Sequence, residues 1–336
     1  MLNYIHFPQW LKPEIVNIFG FKPGWYGLMY IVGFILAYIL FKYQVKKRSL
    51  NIEKDLIINW FFWGIIGLLV GARLFATLLF DASGTYWKQP WRIFIPIDER
   101  GGCSGLMGMN YYGGVVGAIV AMVIYARIKK IDILEWGDML VAAVPLSHSF
   151  GRLGNFINAE LFGRVTTAPW GMIFPAARRL DISKNWVSKI ASELNIGAVG
   201  DKVNLPRHPT QIYSWFFEGI LLWLILWFIL KDRKPFKGFI VGIYIVSYGI
   251  VRFILDYFRM PLIDEFTIKL VPINNPPELL LTPFNFTLSQ IFSFLMIVTG
   301  IVTLWLLYKK SKLEHGKLEE SPKPTMRKLR KKISKE

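Results

Sequence analysis

The sequence predicts an all-α polytopic membrane protein of about seven transmembrane helices. The N-terminus is expected outside, the C-terminus in the cytoplasm, and a small head outside the membrane. Composition is the first reason: the 336 residues are 53% hydrophobic, and the mean hydropathy of +0.38 is too high for a soluble protein of this length. The second reason is a series of apolar runs of spanning length. The third is that Lys and Arg collect in alternate loops.

Seven apolar runs are the predicted spans, and most approach the ~17–25 residues that a membrane-crossing helix needs. The run at 139–150 is too short by itself, so we expect it to continue into the polar segment that follows. The seven runs are 25–41, 56–80, 111–126, 139–150, 212–230, 238–255 and 288–308.

Basic residues cluster between spans one and two, three and four, and five and six, and again after span seven. With seven helices these segments all fall on one side, which the positive-inside rule makes cytoplasmic. The net charge of +17 therefore suits an anionic lipid leaflet rather than nucleic acid. Residues 309–336 lack apolar periodicity and are expected to form a basic, disordered tail, which leaves 1–308 as the membrane domain.

Residues 1–24 have the pattern of an amphipathic leader rather than of a cleavable signal peptide. The single cysteine, Cys103, excludes an internal disulfide and supports no metal framework. No P-loop, dinucleotide fingerprint, His-rich set or Ser-His-Asp set is found. The sequence therefore predicts neither a metal site nor an organic cofactor.

The segment Gly-Arg-Leu-Gly-Asn-Phe-Ile-Asn-Ala-Glu-Leu-Phe-Gly-Arg at 151–164 is the strongest functional signal. On one helix, Arg152, Asn155, Asn158 and Glu160 would point to several sides and leave no lipid-facing stripe. Polar groups at membrane depth are costly unless they face a protein interior or a wet cavity. We therefore predict a site here; the alternative is a juxtamembrane loop whose polar groups meet lipid headgroups.

A second polar segment, Arg-His-Pro-Thr-Gln-Ile-Tyr at 207–213, opens the fifth span on the outer side. Its proline suits a helix start, and His208 and Gln211 would lie at the membrane interface. Ordinary helix capping would also explain these residues.

A third polar segment lies in the sixth span, where Tyr248, Arg252, Asp256 and Arg259 are spaced by four, four and three residues. This spacing places them on one flank of a helix. Arg252 and Asp256 can pair, which lowers the cost of burying both charges. Arg259 lies nearer the outer surface, where it could anchor to headgroups.

Two isolated residues complete the predicted site. Tyr26 lies at the outer end of the first span, where anchoring in the aromatic belt is the alternative, and Arg73 is an intramembrane charge that could serve a structural ion pair. The set is rich in arginine, amide and tyrosine side chains. Because guanidinium groups are permanently charged, bidentate donors, the natural ligand is a phosphate-bearing lipid.

These motifs closely resemble those of the prolipoprotein diacylglyceryl transferase family. The resemblance rests first on Gly-Arg-x-Gly-Asn-Phe-x-Asn-x-Glu-x-x-Gly at 151–163, which is highly specific, and it covers about residues 20–308. It implies a bacterial inner-membrane enzyme whose outer side is the periplasm, with a periplasmic head at about 164–207. The supporting matches are at 25–30, 71–73, 109–114, 207–213 and 248–253.

The reaction that the resemblance implies is lipid transfer. The diacylglyceryl group of phosphatidylglycerol would pass to the lipobox cysteine thiol in a preprolipoprotein signal peptide, giving a thioether and glycerol phosphate. Arg152 and Arg252 would stabilise the leaving phosphate, Asn155 and Asn158 would orient the headgroup, and Glu160 would hold an arginine or bind the glycerol hydroxyls. The other predicted substrate contacts are Tyr26, Arg73, Gly163, His208, Gln211 and Tyr248.

The chain departs from the family pattern at one catalytic candidate. Many members carry a His directly before a Gly-Gly pair, and that His is often assigned to thiol activation, whereas this chain has Tyr112 there. A tyrosine of ordinary pKa, near ~10, acts as a base only as a phenolate. His148 and His208 are possible substitutes, so the identity of the base stays open.

Two other classes fit parts of the pattern. A seven-helix receptor or light-driven pump would normally carry a ligand-binding Lys in its last span, and residues 288–308 contain none. A phospholipid or anion transporter would fit the arginines, but inverted repeats and matching Pro-broken helices are not found.

Overall fold

The computed structural model describes residues 4–17, 22–79, 84–93, 110–261, 267–271, 276, 278–280 and 282–320. The chain divides into two compact units. The larger unit is Met1–Ala37 with Gly137–Glu336, and the smaller unit is Tyr38–Trp136. Cys103, most of the loop at 81–110 and residues 321–336 lie outside the described residues.

The described chain is mostly helical, in agreement with the predicted all-α membrane class. Within it, four helices are long and apolar enough to cross a membrane, and Tyr112–Ile128 and Phe239–Leu255 are shorter apolar helices. The number of seven spans stays a prediction. The longer helices are Trp25–Lys47, Lys54–Leu79, Tyr111–Ile128, Ile133–Val141, Val144–Ile157, Asn185–Glu193, Phe239–Leu255 and Leu288–Glu320, with a mixed helix at Thr210–Leu230 and short turns at Thr85–Lys88 and Pro90–Ile93.

Glycines bring two helices of the smaller unit into backbone contact. A Cβ added to Gly71 would lie 2.3 Å from the carbonyl oxygen of Gly113, and one added to Gly117 would lie 2.1 Å from that of Gly67. Both helices thus carry two glycines four residues apart, the small-residue spacing that lets membrane helices approach closely. Asn110 caps the second helix by accepting a hydrogen bond from the Gly113 amide at 3.1 Å.

The predicted fourth span is two helices, Ile133–Val141 and Val144–Ile157. The second, here the Arg152 helix, ends before the polar segment does. Ala159 and Leu161 have φ of 52° and 56°, left-handed conformations in which a helix terminates. The projection of 151–160 on a single helix is therefore wrong beyond residue 157.

Residues 164–207 are the segment that the sequence predicts to be the head. Its short strands Leu180–Asp181 and Lys202–Val203 pair in antiparallel fashion, and it contains the helix Asn185–Glu193. In the predicted leader, Ile5–His6 forms a short strand that pairs with Met172–Ile173. The buried core of the head is Val165, Leu180, Val187, Ala191, Val203 and Leu205.

The helix Thr210–Leu230, here the Glu218 helix, changes its winding along its length. It is π-helical at Trp215–Leu221 and again at Ile225–Leu230. Such i→i+5 turns are rare and occur frequently at functional sites.

The last helix continues to Glu320, past residue 309, where the sequence predicts that a disordered tail begins. Its Lys, Leu and Glu residues are good helix formers, and Lys310 pairs with Glu314 at 4.0 Å one turn later.

Candidate functional site

A cavity in the larger unit joins the three polar segments that the sequence singles out. It lies between the Arg152 helix, the start of the Glu218 helix, and the helix Phe239–Leu255, here the Arg252 helix. Its lining combines positive charge with amides and hydroxyls, which suits an anionic, hydroxyl-bearing ligand. The lining residues are Arg152, Asn155, Leu161, Thr210, Gln211, Ser214, Arg252, Leu255 and Arg259.

The carboxylate of Glu218 connects two of these arginines. Its Oε2 lies 3.2 Å from Nη2 of Arg152, and its Oε1 lies 3.3 Å from Nη1 of Arg252. The Glu218 side chain is fully buried. Burial of a carboxylate at this depth is tolerated because two cations pair with it.

His148 belongs to the same cluster. Its Nε2 lies 3.2 Å from Oε2 of Glu218 and accepts a hydrogen bond from Nε of Arg152 at 3.0 Å. One ring nitrogen cannot accept from the guanidinium and donate to the carboxylate at once, so the two contacts belong to different protonation states. The rings of His148 and Tyr248 form a T-shaped contact, with centroids 5.8 Å apart.

Arg252 has further partners on its other side. As predicted, it pairs with Asp256 one turn later, with Nη2 2.9 Å from Oδ1. It also donates to the hydroxyl of Ser289, which in turn donates to Asp256. Carboxylates on two helices therefore fix the orientation of one guanidinium group.

The polar residues after the Arg152 helix form a local network. Oε1 of Glu160 accepts hydrogen bonds from the amide of Asn155 at 2.9 Å and from that of Asn158 at 3.3 Å. The left-handed turn after residue 158 brings this carboxylate back to the helix end. Glu160 thus contacts amides, whereas the sequence offered an arginine or the glycerol as its partner.

Gly163 and Gln211 both donate hydrogen bonds to main-chain carbonyl groups. The amide of Gly163 donates to the carbonyl of His208 at 2.8 Å, and a Cβ added to Gly163 would lie 2.4 Å from the carbonyl oxygen of Phe258. Gln211, which lines the cavity, donates to the carbonyl of Glu160 at 2.6 Å. Gly163 is therefore explained by close packing, and its predicted substrate contact stays a prediction.

His208 lies among aromatic side chains near the head. Its Nδ1 is 3.1 Å from the hydroxyl of Tyr213, and its ring meets that of Phe258 at 5.1 Å. Burial lowers the pKa of His208 from 6.5 to about 4. At neutral pH the imidazole is therefore uncharged, and it acts as a hydrogen-bonding group rather than as a cationic anion binder.

Tyr26 lies beside the Arg152 helix. Its hydroxyl is 3.0 Å from that of Tyr30, and a Cβ added to Gly154 would approach its ring to 3.0 Å. The glycine spacing of the polar segment therefore allows the tyrosine to pack against the end of that helix.

Arg73 and Tyr112 belong to the smaller unit. Nε of Arg73 donates to the carbonyl of Ile93 at 2.7 Å, and its guanidinium lies 5.6 Å from the ring centroid of Tyr86. Tyr112 lies in the first turn of its helix and is 54% exposed. Their predicted roles at the site stay predictions.

Comparison with known families decides the class of protein to which this arrangement belongs. A family profile described as prolipoprotein diacylglyceryl transferase matches residues 13–306. The chain belongs to this family. It is therefore a multi-pass membrane transferase, and the family that the sequence motifs resemble is confirmed.

Similar prolipoprotein diacylglyceryl transferases occur in several bacteria. The protein from Treponema pallidum is 43% identical over 275 residues, which cover 78% of this chain and 82% of the relative. The Treponema denticola protein is 39% identical over 340 residues, covering 95% and 100%. The Chlorobaculum tepidum protein is 36% identical over 304 residues, covering 89% and 91%. All three are named phosphatidylglycerol–prolipoprotein diacylglyceryl transferase.

Two polar residues of this transferase were not among the predicted site residues. Glu218 is an acidic residue inside an apolar run. Because burying a carboxylate in a membrane helix is costly, its position could have marked it as a site residue. Ser289 gave no such signal, because a hydroxyl near a helix start is common. His148, which the sequence offered only as a substitute base, contacts both Arg152 and Glu218.

Proposed function

We propose that this protein transfers the diacylglyceryl group of phosphatidylglycerol to the lipobox cysteine thiol of a preprolipoprotein. The observation that carries the proposal is the cavity where Arg152, Arg252 and Arg259 meet amides and hydroxyls within a helical membrane protein. Family membership and the names of the relatives support the substrate pair.

The proposed setting is a bacterial inner membrane crossed by seven helices. The N-terminus and the head lie in the periplasm and the basic C-terminus in the cytoplasm, because the positively charged segments then share the cytoplasmic side. The Arg152 helix and the start of the Glu218 helix both lead directly into or out of the head. The cavity at these helix ends therefore opens toward the outer leaflet, where a signal peptide emerges.

The proposed reaction is a substitution at the glyceryl carbon that carries the phosphate. The thiol gives its proton to a general base, the sulfur forms a bond to that carbon, and the carbon–oxygen bond to phosphate breaks. The departing oxygen keeps the electron pair, so the products are a thioether-linked diacylglyceryl group and glycerol phosphate. The negative charge on the phosphate increases as the bond breaks, so fixed guanidinium groups stabilise the transition state more than the ground state.

Individual residues take distinct roles in this scheme. Arg152 and Arg252 bind the phosphate that departs, and Arg259, at the same cavity, attracts the anionic headgroup. Asn155 lines the cavity and is oriented by Glu160, so its amide can bind the glycerol hydroxyls. A general base for the thiol is not assigned.

The direct test uses the purified full chain in detergent with a lipobox peptide and phosphatidylglycerol. Transfer adds the mass of one diacylglyceryl group to the peptide. Alkaline hydrolysis then removes the ester-linked acyl chains but leaves the glyceryl group on the cysteine, because a thioether is not hydrolysed. A peptide with Ser in place of the lipobox Cys, and the lipid phosphatidylethanolamine, are the matched controls. A peptide of unchanged mass under all conditions would refute transfer. In that case, lipid movement between the leaflets of vesicles that contain the protein would favour the transporter alternative.

A further inference from the structure

We infer that Glu218 is a positioning residue that orients Arg152 and Arg252 toward the departing phosphate, a role that rests on the function proposed above. The two guanidinium groups line the cavity, whereas the carboxylate that joins them is fully buried and is not part of the lining. Glu218 therefore acts on the substrate through the arginines.

The contacts of Glu218 hold each arginine at a defined atom. Oε2 contacts Nη2 of Arg152, and Oε1 contacts Nη1 of Arg252, so the two carboxylate oxygens set the separation of two cations from different helices. A long arginine side chain otherwise loses rotamer entropy when it is fixed in one orientation. Orienting it before the substrate arrives removes that cost from the reaction.

The backbone beside Glu218 explains how the carboxylate reaches both partners. Glu218 lies within the π-helical segment Trp215–Leu221. A Cβ added to the adjacent Gly219 would lie 2.4 Å from Cβ of Ser149 and 3.0 Å from its Cα. The two helices can therefore approach this closely only because residue 219 is glycine, and the approach brings Glu218 to Arg152.

Three variants test the role by turnover of phosphatidylglycerol with a lipobox peptide. Glu218→Gln keeps the shape but removes the charge, and we expect kcat to fall about 100-fold, as for a ~1 Å misplacement. The KM for phosphatidylglycerol should stay the same or fall, since a negative charge near an anion site is lost. Glu218→Asp keeps the charge but shortens the side chain, and kcat should fall about tenfold. The control Glu314→Gln removes an acid that is 64% exposed and should match the wild type.

The outcomes separate positioning from charge balance and from direct substrate contact. A Glu218→Asp variant with wild-type kcat would show that only the charge matters and would overturn the role. A raised KM with an unchanged kcat would indicate direct substrate binding and would also overturn it. If Glu218→Gln does not elute as a folded protein, the Asp variant alone decides. A wild type that transfers no lipid would instead overturn the proposed function, and this role with it.

Discussion

Arg152 and Arg252 lie on different helices, yet their guanidinium groups contact the two oxygens of one buried carboxylate, that of Glu218. We therefore expect the pair to act as a single bidentate unit at the cavity wall. Such a unit matches the two non-bridging oxygens of a phosphodiester better than two independent cations would. The first two predictions follow from this arrangement.

Replacing Arg152 with Ala or Lys should reduce lipid transfer at least ~10²-fold while membrane insertion stays intact. Lysine keeps the charge but loses the planar fork that contacts both His148 and Glu218. Lipidation of the peptide and the elution profile in detergent measure activity and folding separately. Near-normal turnover by the Lys variant would refute the need for a bidentate donor.

Arg252→Ala should be more severe than Arg259→Ala, although both residues line the cavity. Removing Arg252 takes a partner from Glu218 and from Asp256 together, which leaves buried carboxylates under-compensated. We expect ~10²-fold or greater loss for Arg252→Ala and ~10-fold or less for Arg259→Ala. Complementation of a strain that lacks its own enzyme compares them, and equal defects would contradict the ordering.

Gly163→Ala should destabilise the protein rather than only weaken substrate binding. A Cβ at this position would meet the carbonyl oxygen of Phe258 at 2.4 Å and Cβ of His208 at 2.7 Å, and backbone cannot move cheaply. A loss of ~1–3 kcal/mol or more is expected, seen as a lower thermal unfolding temperature in detergent. The control is Gly197→Ala, whose added Cβ meets no atom within 4 Å. An unchanged unfolding temperature with a raised KM would favour a substrate contact instead.

The stability of the protein should fall as the pH is lowered from 6.5 toward 4, in part through His208. The pKa of His208 in the folded protein, about 4, is below the ordinary 6.5. The unfolded chain therefore binds more protons in this window, so folding stability rises with pH and is lost on acidification. At pH ~5 the effect is at most about 2 kcal/mol, and less because partial exposure screens it.

The matched variant for this effect is His208→Gln, which keeps a hydrogen-bonding side chain beside Tyr213 but cannot be protonated. Thermal unfolding of both proteins between pH 7 and pH 5 gives the comparison. The variant should lose less stability than the wild type over this interval. Parallel pH profiles would place the acid sensitivity elsewhere.

Tyr112 directly precedes the Gly113–Gly114 pair, where the family resemblance leads us to expect His, and two variants define its role. If its hydroxyl donates a hydrogen bond to the lipid phosphate or glycerol, Tyr112→Phe should lose ~1–3 kcal/mol of transition-state stabilisation, or roughly 5- to 150-fold in rate. Tyr112→His should retain activity, because an imidazole also donates. We expect this outcome, since an ordinary phenol is a poor base at neutral pH. A Phe variant without detectable transfer, beside a wild-type rate that climbs through one alkaline titration, would identify Tyr112 as the base.

The sequence was sufficient to predict which segments meet at the cavity. Polar residues inside apolar runs are costly, so 151–163, 207–213 and 248–259 stood out, and residues of all three line one cavity. The pairing of Arg252 with Asp256 also followed from sequence, because residues four apart on a helix face each other. Both predictions depend only on the local sequence: on polar residues within an apolar run, and on the spacing of residues along one helix.

Contacts between distant helices could not be predicted in the same way. Glu218 lies 34 residues before Arg252 and 70 after His148, and no periodicity relates such positions. The π-helical winding beside Glu218 has no simple sequence pattern. The left-handed turn at Ala159 and Leu161 was also unexpected, because non-glycine residues seldom adopt positive φ. It brings the Glu160 carboxylate to the amides of Asn155 and Asn158.

The glycine contact in the smaller unit bears on how mutations at Tyr112 can be interpreted. Gly113 and Gly117 pack so closely on Gly71 and Gly67 that an added Cβ would lie 2.5 Å and 2.1 Å, respectively, from the carbonyl oxygens of the facing glycines. The start of that helix is therefore held by main-chain contact and by the Asn110 cap, whatever ring residue 112 carries. A change of side chain at this exposed position leaves the scaffold beneath it intact, so altered rates there will report the chemistry of the ring.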